Sequence, residues 1–183
     1  MKALRIITGE GVFIARYSRL GLCELNFPAQ EQAASSDGKD ALDVSEWHRI
    51  TSGAVAAILR GDDPEEVPPL DLSGHTDFRR KVWAEMQRIA RGKTASYAEL
   101  ARRIGQPNAT RAVGGACGAN PIPLILPCHR VLAAGQRLGG FSGGLDWKRK
   151  LLAVEGIAFN LAGDRMRTNL EQVELAGLGM RDF

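Results

Sequence analysis

The sequence predicts a mixed α/β (α+β) fold in two domains. Strand-like segments are confined to the first 27 residues, whereas residues 77–154 divide into successive helix-like segments. Between them, residues 61–69 are acidic and rich in proline, which is typical of a linker. We therefore expect a small N-terminal mixed α/β domain, residues 1–70, followed by a mainly helical C-terminal domain, residues 76–160, that contains a helix-turn-helix. Residues 161–183 form a C-terminal tail to which we assign no role.

The N-terminal domain is predicted to begin with an antiparallel meander. Three short apolar runs within residues 4–27 are separated by glycine-containing breaks. Residues 28–42, rich in alanine, serine and charge, predict a loop. A helix is then expected from Asp43, because a capping carboxylate followed three residues later by Glu46 resembles a capping box. Nothing in this domain indicates catalysis, so we expect a scaffold.

Capping signals divide the C-terminal domain into helices. Ser96 and Glu99 have the spacing of a capping box, and Asn108 is expected to cap the next helix. The two middle helices, joined by a turn that contains Gly105, form the predicted helix-turn-helix. The expected helices span residues 77–91, 97–104, 109–118 and 146–154.

The second helix of this pair is rich in small residues, among them Ala112, Gly114 and Gly115. A glycine inside a helix costs about 1 kcal/mol relative to alanine. Two explanations are open: tight packing against another helix of the protein, or close approach of a DNA backbone or minor groove.

The charge of the chain is unevenly distributed. The net charge of +3 combines −5 for residues 1–75, +9 for residues 76–155 and −1 for residues 156–183. A concentrated positive segment is the expected footprint of a partner with a phosphate backbone, although a solvated basic face is the alternative.

The three cysteines lack disulfide-like spacing and favour a reducing, cytoplasmic location. No membrane helix, signal peptide or zinc motif is indicated.

Cys128 is the strongest candidate for a reactive group. It stands beside His129 at the end of an apolar run, residues 120–131, in which three prolines restrict the backbone. A stiff, buried approach suits a nucleophile held in one position, and a buried structural cysteine is the competing interpretation. Because the thiolate is the reactive form, the imidazole and a further acid, Glu155, could draw the proton away.

Several motifs, in one order, resemble those of the O6-alkylguanine-DNA alkyltransferases, repair proteins that move an alkyl group from guanine onto their own cysteine. The resemblance runs from about Phe78 to Gly156. It rests on SYAELA at 96–101, RAVGGA at 111–116, NPIPLILPCHRV at 120–131, and GGL at 143–145 followed by Leu151-Leu152 and Glu155-Gly156. The N-terminal part matches only in length and general pattern, and the resemblance implies an RNase H-like fold there.

The resemblance implies a mechanism in which Cys128 accepts the alkyl group. His129 would act as the base through a bound water, and Glu155 would orient His129. The Tyr97 hydroxyl would donate to the flipped guanine and stabilise charge on the leaving base. No nearby group could hydrolyse the thioether product, so each molecule would act once, without a cofactor or metal.

The resemblance also implies how double-stranded DNA is bound. A base inside a duplex cannot reach a buried thiol, so the nucleotide must be flipped out. Arg111 would fill the gap, while the helix with Ala112, Gly114 and Gly115 enters the minor groove. Without the resemblance, Arg111 could equally be a phosphate contact or a surface arginine.

The remaining site residues surround the base. Asn120 would be the hinge between the second helix of the pair and the active-site strand. Val131, Phe141 and Ser142 would line the substrate pocket, with Ser142 offering a donor near the guanine oxygen. Two positions depart from the family: Arg79 stands where glutamine is more common, and Phe141 where tyrosine is often found. These departures leave the range of accepted alkyl sizes open.

The expected partner is double-stranded DNA containing O6-alkylguanine or, more weakly, O4-alkylthymine. We expect a monomer in a bacterial cytoplasm, with clustering on DNA left open.

Three other functions compete with this interpretation. A lesion-binding relative would lack the acceptor cysteine, which the presence of Cys128 argues against. A helix-turn-helix transcription regulator would carry an inert cysteine, and a cysteine hydrolase would use the same Cys-His-Glu set.

Overall fold

The computed structural model describes residues 1–28, 42–160 and 165–166. The chain begins with three strands, β1 (Lys2–Thr8), β2 (Gly11–Tyr17) and β3 (Leu22–Asn26), which form an antiparallel sheet in that order. The predicted meander is therefore confirmed. The predicted loop at 28–42 lies, apart from its two end residues, outside the described residues.

Helix α1 (Ser45–Arg60) follows, and its predicted cap is wrong. Val44 occupies the N-cap position, and no side chain caps the helix there. The Asp43 carboxylate instead accepts a hydrogen bond from the Ser45 backbone N–H at 3.0 Å, and Glu46 pairs with Arg49 at 2.7 Å. Local hydrogen bonds of this kind compete with a capping box for the same side chains.

The linker after α1 is held at both of its ends. Gly61 ends α1 in the left-handed conformation, with φ of 84°. Further on, the Leu22 N–H of β3 donates to the Pro69 carbonyl at 2.8 Å, and the Asp71 N–H donates to the Leu22 carbonyl at 2.8 Å. The end of the linker therefore pairs with β3.

The second part of the chain is mainly helical. Its helices are α2 (Asp77–Gln87), α3 (Tyr97–Arg103), α4 (Thr110–Gly118) and α5 (Leu145–Val154). Two short strands, β4 (Ala95–Ser96) and β5 (Val131–Leu132), pair in parallel, and β6 (Phe159–Asn160) pairs with β7 (Arg165–Met166) in antiparallel. Of the predicted tail, only residues 165–166 are described.

The predicted caps had mixed outcomes here. Ser96 and Glu99 form the expected capping box, with the Ser96 hydroxyl accepting from the Glu99 N–H at 3.2 Å and the Glu99 carboxylate accepting from the Ser96 N–H at 2.6 Å. Asn108 does not cap α4, because Ala109 takes the N-cap position without a side-chain bond. Helix α2 ends at Gln87, before the predicted Arg91.

One hydrophobic core joins the two parts of the chain. It includes Phe13 from the sheet, Val55 from α1, Trp83 from α2 and Leu151 from α5. The Trp83 indole N–H donates to the Ala116 carbonyl of α4 at 2.8 Å, which fixes α2 against α4. Among the described residues, no helix is long and apolar enough to cross a membrane.

Candidate functional site

The candidate site begins at Cys128, the first residue of a short 3₁₀ turn, Cys128–Arg130. Cys128 is 4% exposed. The Asn120 side-chain amide donates to the Cys128 Sγ at 3.1 Å and to the Leu126 carbonyl at 2.8 Å, and its Oδ1 accepts from the Ile122 N–H at 3.0 Å. Asn120 therefore fixes the turn before the cysteine and also contacts the sulfur.

His129 and Glu155 lie in direct contact. The His129 Nε2 is 2.8 Å from the Glu155 Oε1, and both side chains are buried. Because a carboxylate only accepts hydrogen bonds, Nε2 carries the proton and Nδ1 keeps a free lone pair. Nδ1 is buried without a hydrogen-bond partner among the described residues. Burial lowers the pKa of His129, so the imidazole is neutral at pH 7.

Arg130 completes this group, and sequence reasoning missed it. Its guanidinium binds both oxygens of Glu155 at 2.9–3.1 Å and donates to the Ile89 carbonyl at 2.7 Å. Burial alone would raise the pKa of Glu155, but hydrogen bonds from His129 and Arg130 hold that pKa at about 2. Glu155 is therefore an anion shared by two side chains, and the Gly92 N–H also donates to it at 3.2 Å.

Lys148 is a second residue that sequence reasoning missed. Its side chain is buried, and its Nζ donates to the Val131 carbonyl at 2.7 Å and to the Leu138 carbonyl. Burial lowers its pKa to about 8, and its charge lowers the pKa of Cys128, which burial raises. Lys148 falls on the apolar face of α5 with Leu152 one turn later, and that spacing was a usable signal.

The other buried thiol near this group is Cys117. Its Sγ lies 3.6 Å from the Met86 Sδ, and burial raises its pKa to about 12. An apolar packing partner and a raised pKa are typical of an inert structural cysteine. Burial raises the pKa of Cys128 as well, and the Lys148 charge lowers the pKa of both thiols, so what sets Cys128 apart is the Asn120 amide donor on its sulfur.

A glycine-rich segment, Leu138–Gly144, here called the pocket loop, faces Tyr97. Gly139 has φ of 67°, and a Cβ built on it would lie 2.9 Å from the Tyr97 hydroxyl oxygen. Glycine is therefore needed there both for conformation and for space. Val131 is buried, Phe141 is half-buried and Ser142 is exposed.

Helices α3 and α4 pack together and leave one face of α4 open. Arg111, Ala112 and Gly115 are exposed, whereas Val113, Ala116 and Cys117 are buried. A Cβ added to Gly114, Gly115 or Gly118 would meet no atom within 4 Å. Tight packing within the described part of the chain therefore does not explain these glycines.

A resident metal has no apparent ligands in the described part of the chain. No group of three or more His, Cys, Asp or Glu side chains within residues 1–28, 42–160 and 165–166 could hold an ion.

Comparison with known proteins agrees with this geometry. Residues 77–157 match the family model described as 6-O-methylguanine DNA methyltransferase, DNA binding domain. A methylated-DNA–protein-cysteine methyltransferase of Mycolicibacterium paratuberculosis is 48% identical over 110 residues, which cover 58% of this chain and 66% of the relative. A protein of the same name from Methanosarcina acetivorans is 48% identical over 111 residues, covering 61% and 70%. The chain thus aligns with about two thirds of the length of these relatives.

Solved structures extend the likeness to the N-terminal part. Mycobacterium tuberculosis OGT, crystallised in complex with DNA, is 33% identical with a TM-score of 0.70, over 85% of this chain and 92% of that one. An O6-methylguanine DNA methyltransferase from Methanococcus jannaschii is 25% identical with a TM-score of 0.59, over 86% and 98%. With the buried Cys128 and the His129–Glu155 pair in place, these matches show that the chain belongs to the methylated-DNA–protein-cysteine methyltransferase family.

Proposed function

We propose that this protein repairs DNA by moving an alkyl group from O6 of guanine, or more weakly from O4 of thymine, onto Cys128. The observation that carries the proposal is the buried Cys128 thiol, whose sulfur accepts a hydrogen bond from the Asn120 amide. The next residue of the same turn, His129, is paired with Glu155. The M. tuberculosis OGT that was crystallised with DNA supports DNA as the partner.

Activation of the thiol follows from the electrostatics of the site. Burial raises the pKa of Cys128 and lowers that of His129, so both are neutral before reaction. In the proposal, a water bridges the Cys128 Sγ and the free lone pair of His129 Nδ1 and carries the thiol proton to the imidazole. The Glu155 anion then stabilises the imidazolium, and the Lys148 ammonium stabilises the thiolate.

The transfer step is a displacement at the alkyl carbon. The Cys128 sulfur forms the new S–C bond as the C–O bond to the base breaks, and the electron pair stays on the base. Tyr97 donates a hydrogen bond to the base, and Ser142 offers a donor near the guanine oxygen. In the proposal nothing among the described residues cleaves the resulting thioether, and each molecule acts once, without a cofactor.

The proposal places DNA against α3 and α4, which form a helix-turn-helix at residues 97–118. The open face of α4, with Ala112, Gly114 and Gly115, suits a narrow minor groove. Arg111 is exposed on this helix and replaces the flipped nucleotide in the stack. Around this site we propose residues 1–70 as an N-terminal RNase H-like scaffold and 76–160 as the DNA-binding and alkyl-acceptor domain.

The pocket and cellular setting complete the proposal. Val131, Phe141 and Ser142 line the space that the flipped base enters, and Asn120 acts as the hinge that holds the preceding turn. The protein acts as a monomer on double-stranded DNA. A cytoplasmic location is part of the proposal, because the three cysteines are free within the structure.

The test is intact-protein and peptide mass spectrometry after incubation with a duplex that carries one O6-methylguanine. We expect one added methyl group per molecule, on the peptide with Cys128 and absent in Cys128→Ala. Tight lesion binding without an adduct would make the protein a damage sensor instead. Multiple turnover on an ester or amide would indicate a hydrolase, and sequence-selective operator binding would indicate a regulator.

A further inference from the structure

Three contacts from separate elements hold the pocket loop in place. Lys148 of α5 donates from inside to the Leu138 carbonyl and lies 3.5 Å from the Gly140 carbonyl oxygen. Tyr97 of α3 lies against Gly139. The third contact comes from the N-terminal part of the chain, where Phe27 follows directly after β3.

Phe27 packs on the backbone of the pocket loop. Its ring centroid lies 5.5 Å from that of Phe141, at an interplanar angle of 67°. A Cβ built on Gly143 would lie 2.7 Å from both Cδ2 and Cε2 of Phe27, closer than real Cβ atoms approach. Gly143 does not have a left-handed φ, so glycine is needed there for space rather than for conformation. The Phe27 ring occupies the space that a side chain at position 143 would need.

This contact brackets Ser142, the proposed donor to the guanine oxygen. Phe27 touches both neighbours of Ser142, Phe141 and Gly143. Phe27, Ser142 and Asn120 also line one groove. The position of the Phe27 ring therefore constrains Ser142 and Phe141, and with them the space that is left for the alkyl group.

The sheet and α5 support the Phe27 ring from behind. Its centroid lies 4.9 Å from that of Trp147 and 5.6 Å from that of Phe13, and the Phe13 and Trp147 rings are 5.6 Å apart in an edge-on arrangement. Phe13 is fully buried in β2. The ring of Phe27 is thus fixed by the core and cannot follow the pocket loop freely.

We propose that Phe27 is a positioning residue that sets which alkyl groups the pocket accepts. This inference rests on the proposed function, and it gives the N-terminal part of the chain a role beyond that of a scaffold. With the ring present, the loop is held in a position that suits a small alkyl group. Without it, Phe141 and Ser142 relax outwards, which admits a larger group and places a small one less well.

The test compares single-turnover rates with two duplexes, one carrying O6-methylguanine and one O6-benzylguanine, at a temperature where each variant is folded. For Phe27→Ala we expect the benzyl-to-methyl rate ratio to rise roughly fivefold, well within the hundredfold that a 1 Å misplacement can cost. The control is Trp47→Ala, which removes another half-buried ring of the N-terminal part that packs on the same core. We expect its ratio to equal that of the wild type.

A double-variant cycle tests the contact itself. Gly143→Ala alone forces the loop away from Phe27, and we expect it to slow methyl transfer roughly tenfold. In the Phe27→Ala background the same change meets no ring, so we expect most of that loss to disappear.

The outcomes separate the two claims. An unchanged ratio in Phe27→Ala, together with an equal cost of Gly143→Ala in both backgrounds, overturns the role of Phe27 and leaves the proposed function intact. A wild-type protein that forms no adduct on Cys128 with either duplex overturns the proposed function and this inference with it.

Discussion

Two regions of the molecule, the buried cluster around Glu155 and the open face of α4, differ in how far their charged side chains are paired within the fold. In the cluster, His129, Arg130 and the Gly92 N–H all bind one carboxylate. On α4, the Arg111 guanidinium forms no hydrogen bond or ion pair with another described residue. The side chains around Glu155 are therefore paired within the fold, whereas the exposed face of α4 leaves Arg111 available to the DNA that we propose as its partner.

The difference predicts where substitutions act. Removing one member of a buried charged cluster leaves another charge unpaired and destabilises the fold. Removing an exposed side chain without partners changes folding stability by no more than about 0.5 kcal/mol, so its effect should be on binding. Each of the following predictions would break this contrast if it failed.

Glu155→Gln should have the largest effect on stability. It leaves the buried Arg130 charge with only the exposed Asp63 carboxylate, at 4.0 Å, so we expect a loss of about 3 kcal/mol in the free energy of unfolding, measured by urea denaturation. Alkyl transfer at a temperature where the variant is folded should also slow, because neutral Gln cannot stabilise the imidazolium of His129.

The matched control for this change is Glu66→Gln. Glu66 also pairs with an arginine, Arg49 at 3.3 Å, but both side chains are more than half exposed. We expect a change below about 1 kcal/mol, since exposed ion pairs contribute little. Equal losses in the two variants would show that the buried ion pair stabilises the fold no more than the exposed one.

Acid should weaken the wild-type protein through the same cluster. The folded pKa of Glu155 is about 2 against an ordinary value of 4.5, so its contribution is fully present above pH 4.5 and is lost as the pH falls towards 2. His129 acts in the same direction from a higher pH, because its folded pKa lies below 6.5. We expect the free energy of unfolding to fall steeply below pH 4.5 in the wild type and less steeply in Glu155→Gln. Parallel curves would remove Glu155 as the cause.

The same two regions show what the sequence could and could not predict. The Ser96–Glu99 box depends only on spacing within four residues, and it formed as expected. Pairing of Arg130 with Glu155 joins positions 25 apart, and no local pattern encodes it. Asn108 failed as a cap because α4 begins at the next residue but one, with Ala109 in the cap position.

The site residues show the same difference between what local sequence motifs indicate and what only the tertiary fold brings together. The resemblance indicated Cys128, His129 and Glu155, and the structure brings the last two into contact, while the roles of these residues stay predictions. Phe27 could not be found from sequence, because its partners Phe141 and Gly143 meet it only through the tertiary fold.

Arg111→Ala should impair repair in duplex DNA without weakening the fold. We expect transfer from O6-methylguanine in a duplex to slow roughly tenfold or more, equivalent to about 1.4 kcal/mol. Transfer from free O6-benzylguanine, which needs no base flipping, should be almost unchanged. The control Arg60→Ala removes the same charge from an exposed position on α1 and should alter neither rate. Equal slowing with both substrates would exclude the proposed role of Arg111 in flipping.

Gly115→Ala should change stability only slightly, and it should raise stability while it weakens DNA binding. Gly115 and Gly53 are both exposed helical glycines whose added Cβ would meet nothing within 4 Å. Each change to alanine should therefore stabilise folding by up to about 1 kcal/mol, measured by denaturant titration. Only Gly115→Ala should weaken duplex binding, because the new methyl group stands where the DNA approaches α4. If both variants bind DNA as tightly as the wild type, the open face of α4 is not a contact surface, and the glycines there have another cause.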